Sequence, residues 1–131
     1  DNVIGRINEV DYESILGEYL NAHNANILAL EVNENNRLNQ EPRGELLIRA
    51  EIDTAKMFIE KRHFREYLGK SGVSISDFVL KMKAKGYNIR DHKRRMGTGW
   101  KPATGFSSVM ALEIDTTKFI EDLIRENNEI K

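Results

Sequence analysis

A mixed α+β fold is predicted by three observations in this 131-residue sequence. Apolar residues recur at i, i+3, i+4 spacing in several segments, as amphipathic helices require. Strict apolar–polar alternation appears between them, as half-buried strands require. Clusters of Gly, Asn and Pro punctuate the two patterns. Hydrophobic residues make up 40% of the chain and charged residues 31%, the composition of a folded domain and not of a disordered one. The length suits one domain, which can remove roughly two-thirds of its unfolded surface from water. No apolar run approaches the ~20 residues of a membrane span. The absence of cysteine excludes a disulfide scaffold, a thiolate zinc site and a cysteine nucleophile. No signal-peptide pattern is present, so the cytoplasm is the expected location. A first residue Asp1 in place of Met is the start expected of a piece of a longer polypeptide.

Taken in order, residues 11–25 place Tyr12, Ile15, Leu16, Tyr19 and Leu20 on one helical face, with Asp11 as N-cap and Gly17 as a weak interior point. Residues 27–32 read as a short apolar strand or helix tail, and the polar residues 33–44 as a loop. Residues 46–53 alternate: Leu46, Ile48, Ala50 and Ile52 face one way, while Leu47, Arg49, Glu51 and Asp53 face mostly the other, polar side. A turn over residues 53–56 and a strand over 57–59 complete a hairpin. A helix over residues 62–70 presents Phe64, Tyr67 and Leu68 and breaks at Gly69 and Gly72. The next helix starts with a capping box, Ser74 with Asp77, and a staple of Val73 on Phe78. It runs to Lys85 and stops at Gly86. Its inner side holds Ile75, Phe78, Val79 and Met82; opposite lie Ser76, Asp77, Leu80 and Ala84, flanked by Lys81 and Lys83. Residues 89–95 and 109–115 read as strands joined by a Gly-rich loop, and Phe119, Ile120, Leu123 and Ile124 imply a short C-terminal helix. The phrase Glu51-Ile-Asp-Thr54 recurs as Glu113-Ile-Asp-Thr116. Since its flanks do not repeat and the period fits no array, coincidence is preferred over the alternative of a duplicated strand.

The net charge of −1 conceals a strong division. Residues 61–101 hold twelve Lys and Arg against three acids, Glu66, Asp77 and Asp91, a net of +9. The remainder holds eight basic and eighteen acidic residues, a net of −10. Such a block points to a surface that faces a polyanion. A lysine-rich solvated helix face is the plain alternative.

Strand, strand, helix, tight turn, helix, strand, long loop, strand is the order of a winged helix-turn-helix, here with an extra N-terminal helix and β-hairpin. In that arrangement the second helix meets the major groove and the wing reaches adjacent backbone or minor groove. Phosphate contact then falls to Lys81, Lys83, Lys85, Arg90, Lys93, Arg94, Arg95 and Lys101, and groove contact to Ser76, Leu80 and Ala84. Asp77 faces the same way, but its capping role occupies it. Leu80 is either covered by the N-terminal helix or left to meet a thymine methyl or a partner protein. Trp100, the only tryptophan, is either a base-stacking group or a lid on the hairpin. The expected divisions are residues 1–43 as helix and loop packing on the domain, 44–117 as its core, and 118–131 as a tail.

Other chemistry is poorly served. Gly97-Thr-Gly-Trp-Lys101 lacks P-loop spacing. His23, His63 and His92 have no companion at i+3 or i+4, so no metal site or general base is expected. The carboxylates of residues 1–60 are not paired as glycoside or metal-dependent phosphodiester cleavage would need. No cofactor, small-molecule substrate or membrane partner is expected.

The stretches Gly44-Glu-Leu-Leu-Ile-Arg49, Phe64-Arg-Glu-Tyr-Leu68, Gly72-Val-Ser74, Phe78-Val-Leu-Lys-Met-Lys83 and Lys93-Arg-Arg-Met-Gly-Thr-Gly99 carry a resemblance over about residues 10–115. The chain resembles the winged-helix-like C-terminal segments of replication helicases and primase-helicases of phages and other mobile elements. The resemblance implies a DNA-engaging or core-stabilising accessory to an ATPase that lies upstream, since no Walker motif occurs here. The expectation is therefore a non-catalytic DNA-binding domain. Its rivals are a module docking its basic face on an acidic partner domain and a dimeric transcriptional regulator.

Overall fold

The apolar stripes of the helices and one face of a sheet meet in a common core in the computed structural model, which describes residues 10–100 and 108–119. Helix α1 (Tyr12–Ala22) is capped by Asp11, whose carboxylate accepts from the Ser14 N–H at 3.1 Å. Helix α2 (Lys61–Lys70) is capped by Glu60, which accepts from His63 N–H at 2.6 Å. Helix α3 (Ile75–Ala84) begins at the predicted cap, where Ser74 Oγ accepts from Asp77 N–H at 3.0 Å. Each cap satisfies one of the amides that a helix start leaves without an intrahelical partner.

Among the described residues six strands form one sheet: β1 (Ile27–Glu31), β2 (Arg37–Gln40), β3 (Ile48–Glu51), β4 (Lys56–Glu60), β5 (Ile89–Arg94) and β6 (Val109–Asp115). Their order is β2-β1-β3-β4-β6-β5, with β1 parallel to β3 and every other pair antiparallel. The core joins Leu16 and Tyr19 of α1, Phe64 and Leu68 of α2 and Phe78 and Met82 of α3 to Ile48, Ile59, Leu112 and Ile114 of the sheet. Edge-to-face rings lock the helices: Tyr19 on Phe64 at 4.8 Å and Phe64 on Phe78 at 4.9 Å between centroids. Each fully buried Leu, Ile or Phe contributes about 1.5–3 kcal/mol. The opposite sheet face carries a smaller cluster of Phe58, Met96 and Ala111.

Several elements differ from the sequence expectation. The first helix stops at Ala22 because His23 leaves helical geometry and a 3₁₀ turn follows over Asn24–Asn26. Asn26 holds that turn, donating its side-chain amide to the carbonyls of Arg43 and Glu45. Residues 33–44, expected as loop, contain β2, whose four residues are all exposed. An edge strand of this kind lacks the alternation that announces a strand. It is held by Glu31, which accepts from Arg37 at 2.7 Å and Asn39 at 3.0 Å. Because β3 ends at Glu51, Ile52 is exposed; Leu46, before it, packs on the opposite face's cluster. Arg49 is not solvent-facing but only 2% exposed. The parallel β1–β3 pairing crosses the expected boundary after residue 43, so the N-terminal part is woven into the sheet. Of the expected C-terminal helix, Phe119 packs on Tyr87 with centroids 5.0 Å apart, while Ile120, Leu123 and Ile124 lie outside the described residues.

Gly86 ends α3 with φ +101, a backbone conformation that costs L-residues roughly 1–2 kcal/mol. Gly86→Ala is expected to lower unfolding free energy by about that amount, read as a fall in the urea midpoint at unchanged m-value.

Candidate nucleic-acid interface

Helices α2 and α3 meet through a turn over residues 71–74. Gly72 takes φ +73 there, and Val73 N–H bonds back to Leu68 C=O at 3.0 Å. The turn leaves the outer side of α3 open. Ser76, Leu80, Lys81, Lys83 and Ala84 are all exposed, Leu80 to 63%. Helix α1 does not cover Leu80; it approaches α3 at Phe78, through Tyr12 at 6.1 Å between rings. A groove of about 490 Å³ runs beside Leu80, with Ile75, Val79 and Lys83 on the helix side and Ile89, Arg90 and Asp91 on the β5 side. Lys61 closes on Asp91 at 2.8 Å, which neutralises the acid at the groove.

Lys85 has a different fate. It pairs with Glu13 at 2.8 Å, and the Tyr87 hydroxyl donates to the same carboxylate at 2.5 Å. The Lys85 bond first, then the Tyr87 bond, hold the Glu13 carboxyl below its ordinary range. The lysine therefore ties α1 to the end of α3.

The sheet also divides the basic residues of β5. Arg90, His92 and Arg94 alternate onto the helix-free face, where two acids gather them. Glu113, 9% exposed, accepts from Arg90 at 3.1 and 3.2 Å and from His92 Nδ1 at 2.7 Å. Burial pushes its carboxyl up, but the Arg90 and His92 bonds and the charges of Arg90 and Lys56 outweigh that and leave it below the glutamate range. Glu51, also 9% exposed, accepts from Arg49 Nε at 2.8 Å and Arg94 Nη1 at 3.2 Å. Between the two acids lies Phe58, with the Arg94 guanidinium 4.4 Å from its ring centre and His92 at 5.6 Å. Burial and the Arg49 charge lower the pKa of Arg94. The recurring Glu-Ile-Asp-Thr phrase thus supplies both acids, one from β3 and one from β6.

The start of the Gly-rich loop lies against this face. Arg49 Nη1 donates to the carbonyls of Met96 at 3.0 Å and Thr98 at 2.5 Å. Gly99 comes so close to Asn36 that an added Cβ would sit 2.7 Å from its side chain. Trp100 is half-buried, with Nε1 3.5 Å from Glu41 Oε1. Lys101 lies outside the described residues. Of the sequence-predicted residues, Ser76, Leu80, Lys81, Lys83 and Ala84 share α3's exposed side, and Lys93 and Arg95 are exposed on and just after β5. Arg90 and Arg94 belong to the opposite face.

One cluster was invisible in sequence. Tyr19, His23, His63 and Tyr67 converge where α1 meets α2: the Tyr19 hydroxyl and His63 Nδ1 are 2.9 Å apart, and the two imidazoles are 4.8 Å apart. Burial, then His63, lower the His23 pKa, and burial followed by Glu60 raises that of Tyr19. Among the described residues no three His, Cys, Asp or Glu side chains gather as a metal site needs. Comparisons with protein-family models, curated proteins and solved structures find no match.

Two expectations follow from this arrangement. Arg49→Ala leaves Glu51 short of a partner and two carbonyls without their donor, and should cost about 3 kcal/mol. The Arg49→Ala/Glu51→Ala pair should cost less than the sum of the single changes, measured by denaturant titration as a double-mutant cycle. For His23, a folded pKa below the ordinary imidazole value of about 6.5 means that the unfolded chain binds more protons near and below that value. Its contribution is therefore present above pH 6.5 and lost as pH falls. His23→Gln should shrink the drop in urea midpoint between pH 7.5 and 5.5.

Proposed function

We propose that residues 56–115 act as a winged helix-turn-helix that binds DNA without catalysis, chiefly through phosphates. The observation that carries this reading is the set of exposed cations Lys81, Lys83, Lys93 and Arg95. Among the described residues none of the four has an ion pair, whereas Arg90, Arg94 and Lys85 do. Cations without protein partners are those a phosphate backbone can engage with no prior bond to break. The chain order β4, α2, turn, α3, β5, β6 supports the same reading, since α3 then offers Ser76, Leu80 and Ala84 to a groove. The resemblance to replication helicases supplies a setting: an accessory domain that keeps an ATPase neighbour on its DNA.

Duplex binding should weaken as salt rises, with a log–log slope set by the number of phosphates neutralised. Lys81→Ala, Lys83→Ala and Lys93→Ala should each flatten that slope by about one unit, while Arg94→Ala should leave it unchanged. Fluorescence anisotropy with a labelled 20-base-pair duplex across salt reads both results. Equal slopes in all variants would remove these lysines from the interface.

A further inference from the structure

Strand β5 is the outer strand at its end of the sheet. Its ladder phase follows from the bond of Asp115 N–H to Asn88 C=O at 3.0 Å, in the same register that pairs Ile89 with Ile114. In an antiparallel ladder the bonded residues alternate. Arg90, His92 and Arg94 therefore direct their backbone groups to β6, and Ile89, Asp91 and Lys93 direct theirs outward. Among the described residues no other element bonds these outward groups. Directly beside this edge lies the groove whose apolar wall is Ile75, Val79 and Leu80. Leu80 at 63% exposure and Met110 at 45% are large apolar groups with no phosphate to meet.

We infer that the outer edge of β5 and the groove beside Leu80 form a docking site for an extended peptide strand whose residues alternate apolar and acidic. Such a strand would add to β5 by main-chain hydrogen bonds at Ile89, Asp91 and Lys93, the mode known as β-augmentation. Alternation then dictates its chemistry. Residues on the helix side enter the groove against Val79 and Leu80, so they are apolar. Residues on the other side face Arg90, His92 and Arg94. Four permanent cations there, Arg49, Lys56, Arg90 and Arg94, outnumber the three carboxylates of Glu51, Glu113 and Asp115, and Arg90 at the edge is the most exposed of them, so the facing residues are acidic. A second copy of this chain fits the edge poorly: antiparallel pairing of β5 with β5 centred on His92 would set Arg90 opposite Arg94, and like charges across a ladder are destabilising. The inference goes beyond DNA binding and does not depend on it, because the outward amides of β5 take no part in phosphate or groove contact.

The test uses the full chain and a fluorescein-labelled octapeptide of alternating Val and Glu, with alternating Val and Lys as its control. The Val–Glu peptide should bind saturably, and the control should not. Amide exchange followed by NMR should slow at least about tenfold at Ile89, Asp91 and Lys93 and not at the amides of β2. Leu80→Glu, at an exposed position that leaves the core intact, should weaken the peptide by about tenfold or more. Binding without protection of those three amides would reduce the effect to charge attraction and overturn the inference. Protection already present in the free chain, or the same protection given by a DNA duplex, would overturn it as well. The DNA reading stands or falls separately, on the salt slope.

Discussion

The pairing of β6 between β4 and β5 is the constraint on which the rest of the structure rests. Its pairing with β4 joins residues such as Lys56 and Asp115 across the whole α2–α3–β5 segment, so it carries a loop-closure cost that local contacts do not. In return it sets both layers. Leu112 and Ile114 of β6 form the floor under the helices, and Ala111 and Glu113 face the other way. Since β6 separates β4 from β5, the α2–turn–α3 segment must leave one strand and return about 10 Å away, two strand spacings. Two short helices with a tight turn satisfy that span while keeping Phe64 and Phe78 in contact. The open side of α3 is thus a consequence of where β6 lies.

Electrostatics follows the same partition. A buried arginine such as Arg49 is costly to desolvate, and a salt bridge alone seldom offsets that cost. Here the guanidinium also satisfies the carbonyls of Met96 and Thr98, so one side chain joins β3 to the Gly-rich loop. The sheet sorts the remaining cations. Those on the helix-free face are consumed by Glu51 and Glu113, and Lys85 is consumed by Glu13. The +9 block therefore overstates the field offered to a polyanion. What remains outward is a shorter set: Arg62, Arg65 and Lys70 of α2, Lys81 and Lys83 of α3, and Lys93 and Arg95 at the end of β5.

Helices α2 and α3 were legible because their information is local: Ser74, Gly86 and the spacing of Phe64, Leu68, Phe78 and Met82 each act within a few residues. Strands β3 to β6 were legible in existence from their alternation and punctuation. Strand β2 was not, because its stability comes from Glu31 on a neighbour and not from a buried face of its own. The basic residues look equivalent in sequence for a related reason. Lys81, Lys83 and Lys85 sit on one run, yet Lys85 is distinguished by Glu13, 72 positions away. The His23–His63 contact spans forty residues and has no local signature.

The recurring Glu-Ile-Asp-Thr phrase shows how far a local pattern can carry. In both copies the Glu ends on the helix-free face and the Asp accepts backbone amides at the strand end: Asp53 from Val32 and Asn33, Asp115 from Thr117. The Ile does not behave alike, for Ile114 is buried within β6 whereas Ile52 lies past the end of β3. The phrase thus encodes a strand terminus with an inward-held acid, and the surrounding sheet decides the rest. By placing one such acid on each side of Phe58, it draws Arg90, His92 and Arg94 onto the sheet. The exposed cations of α3 and β5 left without an acidic partner among the described residues are then Lys81, Lys83 and Lys93.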